Sequence, residues 1–167
     1  MKLRISLVYI GSKMPFTPFH LGIALLLVGL FYKRLDALGI LVGSVVLDIW
    51  PFLVLFLGLP YSLHGFSHSF LIAVAVSIVL AFVRIKFKFI KTKLSFLATF
   101  FSFLIGTFSH VLLDAPLYSD MVPFWPFTFN PFLGWYSYNL SVWFSIVCFV
   151  IGGVLLLLRF IGKRKHY

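Results

Sequence analysis

The sequence predicts an all-α fold: a polytopic membrane helical bundle of about five transmembrane helices. Three observations carry this. Of 167 residues, 62% are hydrophobic, with a mean hydropathy of +1.09, whereas soluble domains run at roughly 45–50% apolar. Several apolar runs approach or exceed the roughly 20 residues that cross a bilayer as a helix. The 14 Lys and Arg gather almost wholly in short connections and tails between those runs, the arrangement by which membrane proteins set their orientation. Period-two alternation of apolar and polar residues is absent, which argues against a β-barrel.

The formal charge of +10 would point to nucleic acid on a soluble protein. Here the basic residues sit at the membrane surface, and anionic lipid headgroups account for them more simply. No nucleic-acid partner is expected; the bilayer is the expected surrounding. The single cysteine, Cys148, lies within an apolar run. It excludes an intrachain disulfide and reads as inert packing.

Residues 1–13 form a basic tail with an apolar patch too short for a good signal peptide, and Met14 is an alternative start. Residues 14–158 make a single transmembrane domain, and 159–167 a basic cytoplasmic tail. Thr17-Pro18 reads as an N-cap followed by proline at the first helical position. The span that follows, 18–32, covers only about 22 Å, so its start, with His20, is expected to sit recessed below the membrane surface. The second span, 35–59, carries Asp48 near its middle and Pro51 just after it, which predicts a kink near Asp48. A polar connection holds His64 and His68, and Gly65 between them weakens the case for one continuous helix. The third span is 70–83, followed by a basic loop over 84–93. The fourth runs over 94–117 and ends in Ser109-His110-Val111-Leu112-Leu113-Asp114. Prolines and aromatics at 120–135 forbid a regular helix and favour the membrane–water interface. The fifth span is 138–158.

The positive-inside rule places Lys33-Arg34, the 84–93 loop and the C-terminus in the cytoplasm. His20, the His64–His68 connection, and His110 with Asp114 then fall at the extracytoplasmic side. Asp48 lies deeper, about 18 Å from either end of its span, and the kink brings it closer. His110 and Asp114 are four residues apart and share a helix face. Only four acidic residues exist, and an ionisable group inside a span is costly and a functional-site hypothesis by default. Neutral imidazole and carboxylate both ligate divalent metals. His20, Asp48, His64, His68, His110 and Asp114 are therefore the candidate metal ligands. Taken singly, a histidine at a helix end more often bonds to backbone, and Asp48 has the alternative of a buried hydroxyl partner or a proton. Asp36 beside Lys33 and Arg34 reads as a solvated cytoplasmic charge, Asp120 as an exposed loop residue near the mouth, and His166 as part of the basic tail. The 22 phenylalanines read as lipid contact and packing.

The order His20, Asp48-x-x-Pro51, His64-Gly65-x-x-His68-Ser69 and Ser109-His110-x-x-x-Asp114 resembles the YdjM-like family of membrane-bound metal-dependent hydrolases. Met14-Pro15-Phe16-Thr17-Pro18-Phe19-His20 and Pro123-Phe124-Trp125-Pro126 are similar to features of that family. The resemblance covers about residues 14–158. The family in turn resembles, at a distance, the all-helical zinc-dependent phospholipase C and P1-nuclease group. By that resemblance Asp48 is a bridging ligand; it is also the catalytic candidate, to bridge metals or to orient the attacking water. His68 (or His64), His110 and Asp114 complete one metal site, and His20 and Asp114 contribute to a second. The chain departs from the group in having no later His-x-x-x-Glu and no Glu at all, so one or two divalent ions, zinc first, are implied rather than three. The implied function is metal-dependent hydrolysis of a phosphoester or lipid-linked substrate near the outer leaflet. The alternative is non-enzymatic: a metal- or proton-coupled transporter, or a scaffold with a structural His/Asp cluster. Transport would need polar groups leading from Asp48 to the inner face, where the sequence offers Ser44 and Ser77.

Overall fold

A computed structural model describes residues 18–87 and 94–164. The described residues form α1 (Pro18–Leu30), α2 (Ala37–Gly43), α3 (Ile49–Leu57), α4 (Phe70–Phe87), α5 (Phe96–Asp114) and α6 (Tyr138–Arg164), with 3₁₀ turns at Val46–Asp48 and Gly65–His68. No strand occurs among them. Among the described residues, four segments are long and apolar enough to cross a membrane: Ala37–Leu57, Phe70–Phe87, Phe96–Asp114 and Tyr138–Gly162. α1 is the shorter apolar helix, with Pro18 as its first residue. Thr17, the tail 1–13, His166 and the 88–93 part of the basic loop lie outside the described residues.

The second span is two helices rather than one. α2 stops at Gly43, a 3₁₀ turn follows, and α3 restarts at Ile49. Pro51 is the third residue of α3, where its missing N–H costs no helical hydrogen bond. The Asp48 amide bonds to the Val45 carbonyl at 3.2 Å, an i−3 contact, so the Ser44 carbonyl loses the partner that a continuous α-helix would give it.

α5 is the central helix. It packs against α2 on one side and α4 on the other, while α6 packs on α1. The approach of α2 to α5 is glycine-controlled: a Cβ at Gly106 would fall on the Ile40 carbonyl, and one at Gly43 would lie 2.6 Å from the Phe103 carbonyl oxygen. Small residues that let backbones meet are the usual basis of helix association in lipid, where burial of apolar surface gives little net drive. Between α4 and α5, Ser77 and Thr107 share a hydrogen bond of 3.0 Å. Thr99, Ser102 and Thr107 are all buried on α5, so the interior holds more hydroxyls than Ser44 and Ser77 alone.

Three further expectations change. Asp36 is not a solvated charge. It is 7% exposed and accepts from Arg84 Nε at 2.9 Å, caps α2 through the Leu38 amide, and donates its own amide to Ser102 Oγ at 2.7 Å. Arg84 and Lys86 belong to the last turn of α4 rather than to a loop. α6 likewise continues past 158 to Arg164. Lys33, Arg34, Arg84, Lys86 and Arg159 gather at one end of the bundle, where Arg159 stacks over the Tyr32 ring at 5.4 Å. His20, the Gly65–His68 turn and the C-terminus of α5 lie at the other.

Gly106→Ala is expected to destabilise the protein by about 1–3 kcal/mol, the usual cost of overpacking. Gly153→Ala, where a Cβ meets nothing within 4 Å, is expected to be neutral or slightly stabilising. Thermal unfolding in detergent, followed by a thiol-reactive dye on buried Cys148, measures both.

A candidate metal centre at one end of the bundle

α5 presents His110 and Asp114 one helical turn apart, with Nε2 of His110 3.2 Å from Asp114 Oδ2. Asp114 is 1% exposed. α1 brings His20 to the other carboxylate oxygen, 3.4 Å from Nε2 to Oδ1. The 3₁₀ turn of the second span brings Asp48, whose Oδ1 lies 3.5 Å from His110 Nε2 and 3.8 Å from His68 Nε2. His68 Nε2 is 4.0 Å from Asp114 Oδ2. The His20 and His110 rings stack at 3.9 Å.

These side chains fall into two groups whose ligand atoms lie within 4.8 Å of one another: His20, Asp48, His110 and Asp114, and then His64, His68 and Asp114. All six sequence candidates are present, and Asp114 is common to both groups. The partition differs from the one the resemblance implies, since His20 stands with His110, and His64 joins His68.

The backbone fixes which ring nitrogen faces the centre. His110 Nδ1 lies 2.7 Å from the Ser44 carbonyl, the oxygen left free by the helix break. A carbonyl only accepts, so Nδ1 carries the proton and Nε2 turns a lone pair inward. Ser67 Oγ donates to the His64 carbonyl at 2.6 Å, so its oxygen accepts from His68 Nδ1 at 3.0 Å. His68 Nε2 is then also a lone pair. Burial pushes the His68 imidazole below its ordinary value, and the neighbouring Asp48 carboxylate opposes this without reversing it. His64 is held by Asp120, which accepts from its amide at 3.1 Å and pairs with its Nδ1 at 3.2 Å. Tyr118 stacks on the same ring at 3.6 Å. Gly65, at φ +36°, makes the turn between the two histidines, whose rings meet edge to face at 5.0 Å.

Asp120 is therefore more than an exposed loop residue. Its side chain is 39% exposed, yet it orients a candidate ligand. Burial pushes its carboxyl up, and the hydrogen bonds from the His64 ring and amide outweigh that, holding it at about 2. Burial, reinforced by the Asp114 and Asp48 charges, pushes the Tyr118 phenol well up. Burial and Asp114 raise Tyr136 to about 12, so both remain neutral donors.

The 115–137 segment locks the end of α5. Asn130 Nδ2 donates to the Ala115 carbonyl at 2.7 Å, Tyr136 Oη to the Leu113 carbonyl at 2.7 Å, and the Gly134 amide to the Pro116 carbonyl at 2.9 Å. The terminal carbonyls that a helix leaves free are thus satisfied around Asp114. By contrast, several atoms at the centre have no hydrogen-bond partner: both nitrogens of His20, Nε2 of His68 and His110, Asp48 Oδ2 and Asp114 Oδ1. Buried polar atoms without partners are rare and each calls for an explanation. Lone pairs and carboxylate oxygens that point together, with Nδ1 of His68 and His110 tied back by Ser67 and Ser44, match the donor set and supporting hydrogen bonds of a metal centre.

Fold and site together define a multi-span helical membrane protein with a buried His/Asp centre able to hold metal ions. The chain belongs to the YdjM inner membrane protein family, whose family model matches residues 14–165. No curated protein and no solved structure matches it.

In metal-free protein at alkaline pH, ¹⁵N NMR of the imidazoles is expected to show His64 and His68 as Nδ1–H tautomers. Asp120→Ala should shift His64 toward Nε2–H and leave His68 unchanged. An Nε2–H tautomer at His68 in the unmodified protein would contradict the assignment.

Proposed function

We propose that this centre binds one or two divalent cations, zinc first, and hydrolyses a phosphoester or lipid-linked substrate. The observation that carries the reading is the convergence of partnerless buried ligand atoms with tied-back histidines. Two ligand groups sharing Asp114 favour two ions over one. When bound, divalent cations polarise a phosphoryl or acyl oxygen and lower the pKa of water.

The chain's own residues have separable tasks. His110 and His68 hold their lone pairs inward through Ser44 and Ser67, so no tautomer change is needed on binding. Asp114, buried and shared, supplies fixed negative charge between the groups. Asp48 is the most exposed of the cluster's two carboxylates, at 21% for its side chain. It is the catalytic candidate: Oδ2 has no partner and is the oxygen left to orient attacking water or take its proton. Tyr118, held neutral, stands beside His64 as a donor for an anionic substrate. With the basic end in the cytoplasm, the centre faces the extracytoplasmic side. Hydrolysis is preferred to transport because the interior hydroxyls are mostly occupied. Ser77 bonds to the Ala73 carbonyl and Ser102 to the Ala98 carbonyl.

The first test is metal counting by mass spectrometry on protein purified without a histidine tag. The expected result is one or two ions per chain, lost in the His110→Ala/Asp114→Ala double variant. Asp120→Ala is expected to weaken one ion by about 10–100-fold, the range for outer-shell partners. Full metal retention in the double variant would refute the site. Metal retention with no turnover of any phosphoester lipid would favour the non-enzymatic alternative.

A further inference from the structure

Beside the centre, α1, α5 and α6 enclose a groove of about 630 Å³ lined by Ile23, Leu27, Ile105, Leu112, Leu140 and Phe144, among others. It exists because α6 leans on α1 and hardly touches α5. Glycines set that lean: a Cβ at Gly22 would fall on the Ser145 carbonyl, and one at Gly152 would lie 2.5 Å from the Leu26 amide nitrogen. Ser109, also in the wall, spends its hydroxyl on the Gly106 carbonyl at 2.8 Å. The wall is thus apolar in effect, and its volume falls within the roughly 300–1,000 Å³ of small-molecule sites.

The groove ends beside the candidate metal centre, whose own side chains are not part of its wall. His20, Ile23 and Leu27 share one face of α1 by their spacing. Ser109 and Leu113 adjoin His110 and Asp114 on α5. The His20–Asp114 contact of 3.4 Å joins α1 to α5 at the head of the groove. Tyr136 also lines it and is bonded there to the Leu113 carbonyl. The groove residues belong to the apolar helices of the bundle, and Leu112, Leu140 and Phe144 are open at the surface. The medium at that surface is hydrocarbon.

We infer that the groove holds one hydrocarbon chain of an anionic lipid whose phosphate lies at the centre. The inference rests on the metal-centre reading and narrows its substrate to a membrane amphiphile. Charge complementarity selects the head: two divalent cations held by the two carboxylates would leave net positive charge, which would attract a phosphate. Adjacency selects the tail, since Ile23 in the groove wall stands one helical turn from His20 and Leu27 one turn further along α1. A second chain, where present, stays in the bilayer.

The test is photolabelling of the full chain in phosphatidylcholine nanodiscs by phosphatidic acid carrying a diazirine near the end of one acyl chain. Labelled residues are mapped by mass spectrometry, and bound metal is counted on the same samples. Label is expected to concentrate on the groove over the open lipid faces at Phe82 and Val150. Filling the groove from either side, by Ser109→Trp or Leu140→Trp, should lower groove labelling about tenfold, the loss expected for displacing about two methylenes. A lipid-facing control, Val147→Trp, should leave it unchanged. Cys148 reactivity confirms that each variant is folded. Label spread evenly over Phe82, Val150 and the groove, or unmoved by both substitutions while metal is retained, would overturn the lipid groove alone. Label confined to the groove in protein that binds no metal would sink the metal reading and keep the chain-binding groove.

Discussion

Asp114 is a carboxylate with 1% exposure in the interior of a membrane bundle, and the architecture at this end answers to it. A buried unpaired charge costs several kcal/mol even after relaxation. Three histidines from three different segments stand within 4.0 Å of its oxygens. To bring them there, α1 starts at the level of the cluster, and the Gly65–His68 turn sits directly before α4. The 115–137 segment folds back to satisfy the end of α5 with Asn130, Gly134 and Tyr136. A compact cluster of Leu47, Ala73, Val111, Ala115 and Met121 packs beneath.

The interrupted second span is the companion feature. One helix break does two things: it turns Asp48 toward His110 and His68, and it frees the Ser44 carbonyl to fix the His110 tautomer. Gly43 and Gly106 hold α2 close enough to α5 for that contact to form. Packing, backbone geometry and ligand chemistry are linked through a few residues, so substitutions in the helix interface and in the centre are expected to show coupling rather than additivity.

Much of this is legible in the sequence, for identifiable reasons. Hydropathy marks the spans because lipid demands long apolar helices. Pro51 flags the irregularity near Asp48. His110 and Asp114 announce a shared face by spacing alone, and the scarcity of acidic residues makes each one informative. What stays hidden depends on contacts between distant segments. Asp36 looks solvated beside Lys33 and Arg34, yet its partner Arg84 is 48 residues away. Asp120 looks like loop surface until the fold places it against His64, 56 residues earlier. The carbonyl of Ser44 and the hydroxyl of Ser67 have no sequence signature as partners of His110 and His68. The division of candidate ligands into two groups sharing Asp114 requires three-dimensional distances, and spacing could not separate His64 from His68.

The proposed function requires the His/Asp cluster to be a preorganised metal centre. Titration of the metal-free protein with cobalt(II), followed by its visible absorption, tests this most directly. A preorganised centre gives saturable binding of one or two ions with the intense bands of low-coordinate nitrogen and oxygen ligation, absent in the His110→Ala/Asp114→Ala double variant. Only the faint spectrum of hydrated cobalt, with no saturation, would contradict it.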